Sequence, residues 1–221
     1  MRMKNVRLIV VGFLTLSLPN PVAWAATETT TAVATPEANF ESAEESFARE
    51  DLKEAARFLR LAADQNHMPA QVRIGEMINA AEDHEEAFGW FLTAAFQGDA
   101  AGQYNTGQMY GLGTGVDQSP EKALFWTKKA ANQDYLPAVK ILSNAYSSDP
   151  NAKDGVGPAQ KFFGVVPDKE QADFWSAKLP DLEAAEAKRG RKLAAERAKA
   201  RAEKAKKAQE EKSKLECGLK C

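Results

Sequence analysis

Residues 1–216 contain no cysteine. Whatever folds there is held together by packing, without disulfides and without a thiolate metal site. Histidine is almost as scarce: His67 and His84 are the only two in 221 residues. With no cysteine beside them, they do not make a zinc centre. No Gly-x-Ser-x-Gly elbow occurs, so the usual setting of a hydrolase nucleophile is missing. Carboxylates are plentiful, but most fall at helix starts or on solvated helix faces. The sequence therefore predicts no catalytic residue, no cofactor and no metal.

Long hydrophobic runs are also lacking. The most apolar stretch is residues 8–18 (LIVVGFLTLSL), 11 residues against the roughly 20 a membrane-spanning helix needs. Arg2, Lys4 and Arg7 precede it, Pro19, Asn20 and Pro21 break it, and Ala23-Trp24-Ala25 offers a small-x-small cleavage site. No lipid-accepting cysteine follows. This predicts a secretory signal of bacterial kind, cut near Ala25, and a periplasmic or secreted mature chain with no transmembrane anchor. Residues 26–38 (ATETTTAVATPEA) hold too little apolar bulk to offset the entropy of ordering and read as a flexible linker. A helical domain over 39–179, a charged helix over 180–216 and a cysteine-containing tail over 217–221 follow.

Positive charge is sparse in the body and concentrated at the end. Residues 26–182 carry 13 Lys+Arg against 24 Asp+Glu, a net of −11; residues 183–214 carry 12 against 6, a net of +6. An acidic body thus precedes a basic tail.

What the sequence does have is a repeat. Ala55, Ala87, Ala123 and Ala172 are each followed three residues later by a large aromatic: Phe58, Trp90, Trp126 and Trp175. Paired alanines come next in the first three copies, at 62–63, 94–95 and 130–131; the fourth has Leu179-Pro180 there. The spacings of 32, 36 and 49 residues are those of stacked helical arrays. Four residues before each key alanine stands Asp51, Asp83, Ser119 or Asp168, all good helix N-caps. Glu54, Glu86 and Gln171 complete a capping-box pattern in three copies, and Pro120 takes the first helical position in the other. A second helix follows each alanine pair, from near Pro69, Ala101 and Pro137 to Ile78, Tyr110 and Tyr146. It carries small residues at Ala70, Gly102 and Ala138, and at Gly75, Gly107 and Ser143.

Ala101 to Gly107, Tyr110, Gly113, Gly115, Val116, Lys122, Ala123, Trp126 and Ala130-Ala131 together resemble the SEL-one-like repeat (SLR) family, relatives of the tetratricopeptide repeats. The resemblance covers residues 51–178 and is strongest over 87–146. It implies an all-α fold: a right-handed solenoid of antiparallel helix pairs serving as an adaptor, here followed by a long charged C-terminal helix. Two departures stand out. The first unit lacks the Gly-rich loop, and an insertion of 13 residues falls within 147–163.

The glycines at 111, 113 and 115 are not a phosphate loop, since no strand precedes them and no Lys-Ser/Thr follows. They predict positive φ in a helix-to-helix turn. The insertion ends in Phe162-Phe163, which reads as a loop pinned to the core by its rings or as a partner-contact loop. The tail favours helix by composition, but Leu182, Leu193 and Leu215 are too few for a coiled-coil seam. It reads as a solvated spacer or as a basic arm. Cys217 and Cys221, exposed to an oxidant after export, would pair with each other or link two chains into a dimer.

Three readings of function follow. The first is a scaffold that holds a protein or peptide partner of the cell envelope on its second helices. Gln71, Gln103, Asn105, Gln108, Lys140 and Asn144 are its candidate contacts. The second is a tether acting through the tail. The third is binding of an anionic polymer by the tail, against which the body's negative charge argues; export argues against nucleic acid.

Overall fold

The computed structural model describes residues 34–147 and 157–218; the expected signal, its cleavage site and most of the expected linker lie outside the described residues, as does Cys221. Every described element is a helix. The pairs are α1 (Pro36–Ala48) with α2 (Leu52–Asp64), α3 (Met68–Ala80) with α4 (His84–Phe96), α5 (Ala100–Leu112) with α6 (Pro120–Ala131), and α7 (Leu136–Tyr146) with α9 (Lys169–Ala177). A short α8 (Pro158–Phe163) lies in the insertion, and α10 (Leu179–Gly218) closes the described chain. Each pair also packs on the next, through α2 with α3, α4 with α5 and α6 with α7. The result is an all-α solenoid ending in a long charged helix.

The caps start the helices where the repeat register requires. Asp51, Asp83, Ser119 and Asp168 accept hydrogen bonds from the backbone N–H groups of Glu54, Glu86, Lys122 and Gln171, at 3.0–3.3 Å. Each satisfies a donor that has no partner inside its helix. The linker ends earlier than its composition suggests. Thr35 caps α1 through its hydroxyl and Pro36 takes the first turn, so residues 36–38 are already helical. Phe40, Ala43 and Phe47 then bury against Leu59 and Ala62, giving α1 enough apolar contact to order.

The small residues of the repeat occupy the tightest places. Ala55, Ala87 and Ala123 are fully buried, and so are the three alanine pairs, at 2% exposure or less. A Cβ on Gly107 would sit 2.6 Å from the Thr127 hydroxyl and 3.0 Å from the Ala123 carbonyl, so α5 approaches α6 to a distance that only glycine permits. Trp126 and Trp175 are buried, whereas Phe58 and Trp90 are half-buried. Cations cover the open sides of the rings. The Arg57 guanidinium lies 4.2 Å from the Phe58 ring centre, Arg60 lies 4.9 Å from that of Trp90, and the Lys129 ammonium lies 5.2 Å from that of Trp126.

The insertion is absorbed without breaking the repeat. In the third pair, the Ser119 N–H donates to the Tyr110 carbonyl at 2.8 Å; in the fourth, the Asp168 N–H donates to the Tyr146 carbonyl at the same distance. Phe163 is 2% exposed in the core, and Phe162 lies directly over Gly111, where a Cβ would overlap its ring. The rings therefore pin α8 to α5, α6 and α7.

A candidate partner-binding surface

Helices α1, α3, α5 and α7 form one layer of the array, and α3 touches α5 directly. Their less buried positions repeat at helical spacing: Arg73 and Glu76 on α3; Tyr104, Asn105 and Gln108 on α5; Lys140, Ile141 and Asn144 on α7. A cleft of about 290 Å³ runs across the first three helices between Phe40, Glu44, Arg73, Glu76, Asp99 and Ala101.

The structure divides the six candidate contacts. Gln71 and Gln103 are buried, 1% and 5% exposed, and bond within the array. The Gln71 amide donates to the Ala63 carbonyl at 3.2 Å and accepts from Gln97 at 2.7 Å. Gln103 repeats this, donating to Ala95 at 3.3 Å and accepting from Gln133 at 2.8 Å. The carbonyls of Ala63 and Ala95 lie in the last turns of α2 and α4, where each already accepts from the N–H of Asn66 or Gly98 in the turn that follows, and the glutamines add a second bond to each. Asn105 and Gln108 are half-buried on α5, and Asn144 is exposed on α7. The Lys140 ammonium is engaged by α10, 2.7 Å from the Glu183 carboxylate.

Two tyrosines escape a reading of the sequence by pattern. Tyr104 on α5 and Tyr135, which precedes α7, pack together with their rings tilted by 55° and 5.5 Å between centres, both half-buried. Burial raises both phenols above their usual range, and at Tyr135 the charges of Glu76, Asp99 and Glu186 add to it. Both are therefore neutral hydrogen-bonding groups at physiological pH. Half-buried tyrosines present rigid apolar area with a polar tip, the kind of residue that anchors protein interfaces.

The two histidines hydrogen-bond within the fold. The His67 ring accepts from the Ala70 N–H at 3.2 Å, and His84 pairs with the Asn79 side chain at 2.8 Å. No group of three or more metal-ligating side chains occurs among the described residues. Gly113 and Gly115 adopt φ of +71° and +68° in the turn that closes α5, whereas Gly111, expected to share that conformation, is helical within α5, where Phe162 lies against it. No helix among the described residues is long and apolar enough to cross a membrane.

Comparison with known proteins agrees with this geometry. The Sel1 repeat model matches residues 44–67, 70–99 and 100–135. No curated protein matches. Among solved structures, a Sel1 repeat protein from Oxalobacter formigenes is similar at 26% identity with a TM-score of 0.56. That likeness covers 66% of this chain and 58% of the other, so the chain spans less than two thirds of its length. A protective antigen of uropathogenic Escherichia coli displaying an SLR fold matches at 22% identity and a TM-score of 0.53, over 68% of this chain and 34% of that one. An immunity protein from Pseudomonas aeruginosa matches at 22% and 0.51, over 67% and 55%. These last two show likeness of fold alone.

Proposed function

We propose, from the premise that the array of residues 44–135 belongs to the Sel1 repeat family, that this chain is a non-catalytic scaffold holding a protein or peptide on the α1/α3/α5/α7 layer. Sel1 repeat proteins generally act as protein-interaction scaffolds. The observation that carries the reading is the Tyr104–Tyr135 pair, two half-buried rings in the layer that also holds the cleft between α1, α3 and α5. The same layer presents groups of both charges and both hydrogen-bonding senses, among them Glu76, Gln108 and Lys140. Such a surface reads side chains and backbone together. The signal-like start extends the proposal to a partner of the cell envelope, met in the periplasm or outside the cell.

Affinity capture from envelope extract tests it. The tagged chain is expected to retain a specific partner, and Tyr104→Ala/Tyr135→Ala to lose at least tenfold of it, at an unchanged helical circular dichroism signal. Anchor residues at interfaces typically cost about 2 kcal/mol or more on truncation. Full retention by that variant contradicts the reading.

A further inference from the structure

The tail does not extend away from the repeats. Leu179 and Leu182, at the start of α10, pack on the core cluster built by α6, α7 and α9. Glu183 then pairs with Lys140 of α7, and Glu186 lies near enough to Tyr135 to act on its phenol. Further along, Arg197, Ala200 and Arg201 share a cleft of about 590 Å³ with Glu44, Glu45, Phe47 and Ala48 of α1 and Arg73 of α3. From Glu183 to Arg201 the helix advances about 27 Å at 1.5 Å per residue, roughly three helix-to-helix spacings of 8–10 Å. That is the distance from α7 past α5 and α3 to α1. The helix thus crosses the same layer that carries the tyrosine pair.

Charge runs in register along this crossing. The acidic start of α10 pairs with Lys140, and its basic middle faces α1 across the cleft, where the thirteen residues of α1 include Glu37, Glu41, Glu44 and Glu45 and no base. Arg73, the basic group on the α1 side of the cleft, is already engaged, 3.5 Å from Glu76 and stacked 5.0 Å from the Phe47 ring centre. Yet α10 is held lightly. Its described side chains from Glu183 onward are exposed, Leu193 included, and the anchoring ion pair is itself about half exposed. Surface pairs of that kind contribute little.

We propose that the acidic surface of α1 is a docking site for a cationic helix, that α10 is its resident occupant, and that a partner bearing such a helix binds by displacing α10. This deepens the scaffold reading and rests on it for the identity of the layer. A strap closed about 90% of the time weakens an incoming ligand's apparent affinity about tenfold, so release of the strap is measurable.

The test uses the full chain and a fluorescent peptide with the sequence of residues 183–214, followed by anisotropy. Arg197→Glu/Arg201→Glu is expected to bind the peptide about tenfold more tightly than wild type, because its own strap no longer competes. Adding Glu44→Lys/Glu45→Lys to that variant is expected to abolish the gain. A gain below threefold, or one that survives loss of the glutamates, overturns the proposal. Wild-type dimers that dissolve in the strap variant would place a second copy's α10 in the site and overturn the assignment within one chain. The two readings fail separately. Partner capture that depends on Tyr104 and Tyr135 but is equal in both strap forms sinks only the displacement. A peptide gain without any captured partner sinks only the scaffold.

Discussion

Trp126→Ala is expected to cost about 3–5 kcal/mol, the range for removing a large aromatic from a core. For a domain of this size that corresponds to a fall in melting temperature of roughly 6–20 °C. Trp126 is 6% exposed and joins two pairs of the array. It meets Phe96 of α4 edge-on at 5.3 Å and Phe125 of its own helix at 5.2 Å, in the cluster that also holds Tyr110, Leu142 and Trp175. Its loss opens a cavity between α4 and α6 and uncovers Phe96, already 74% exposed. Lys199→Ala, on the exposed part of α10, is the control and is expected to change stability by less than about 0.5 kcal/mol. Thermal unfolding followed by circular dichroism reads both. Equal melting temperatures for wild type and Trp126→Ala would contradict the stacked array.

Gly115→Ala is expected to be nearly as damaging although it adds one methyl group. Gly115 holds φ at +68°, which costs a non-glycine residue roughly 1–2 kcal/mol. The added Cβ would also overlap the His84 carbonyl and lie 2.9 Å from the Glu85 backbone nitrogen. Backbone cannot rotate out of the way as a side chain can, so overpacking adds about 1–3 kcal/mol. The sum is about 2–5 kcal/mol, read by the same melts. Gly89→Ala separates backbone strain from a general effect of substituting glycine. A Cβ there meets nothing within 4 Å, and helix propensity favours alanine. It is expected to match or exceed wild type, and a Gly115→Ala protein that also matches wild type would contradict the account of the turn.

The parts of this fold legible in the sequence are those that a short segment decides for itself. Asp51, Asp83, Ser119 and Asp168 each need only the three residues that follow to act as caps, and all four do. The alanine pairs and the glycines at 107, 113 and 115 are equally local, because size and φ constrain them directly. The family resemblance and the paired helices rest on these, and the long terminal helix rests on the composition of the tail. What was not legible depends on where distant segments meet. Polar Gln71 and Gln103 read as surface, yet each closes a helix end from the neighbouring helix. The signal was present: Gln71 and Gln103 recur 32 residues apart and Gln97 and Gln133 recur 36 apart, the spacings of the repeat itself. The Tyr104–Tyr135 pair joins two helices, as the Phe40–His67 ring pair joins α1 to the start of α3, and neither pairing shows in the residue types, which differ between the copies. The course of α10 depends on Lys140 and on the acidic surface of α1, and its composition predicts helix without saying where that helix lies.

Site-specific photo-crosslinking reads out whether a partner sits on the α1/α3/α5/α7 layer. A photoreactive phenylalanine analogue is placed at Tyr104, in that layer, or at Glu121, exposed on α6 in the other layer. Each chain is then irradiated in envelope extract, and the adduct is identified by mass spectrometry. The account predicts a discrete adduct from position 104 and none of that mass from position 121; the same adduct from 121, with none from 104, would place the partner on the other layer and contradict it.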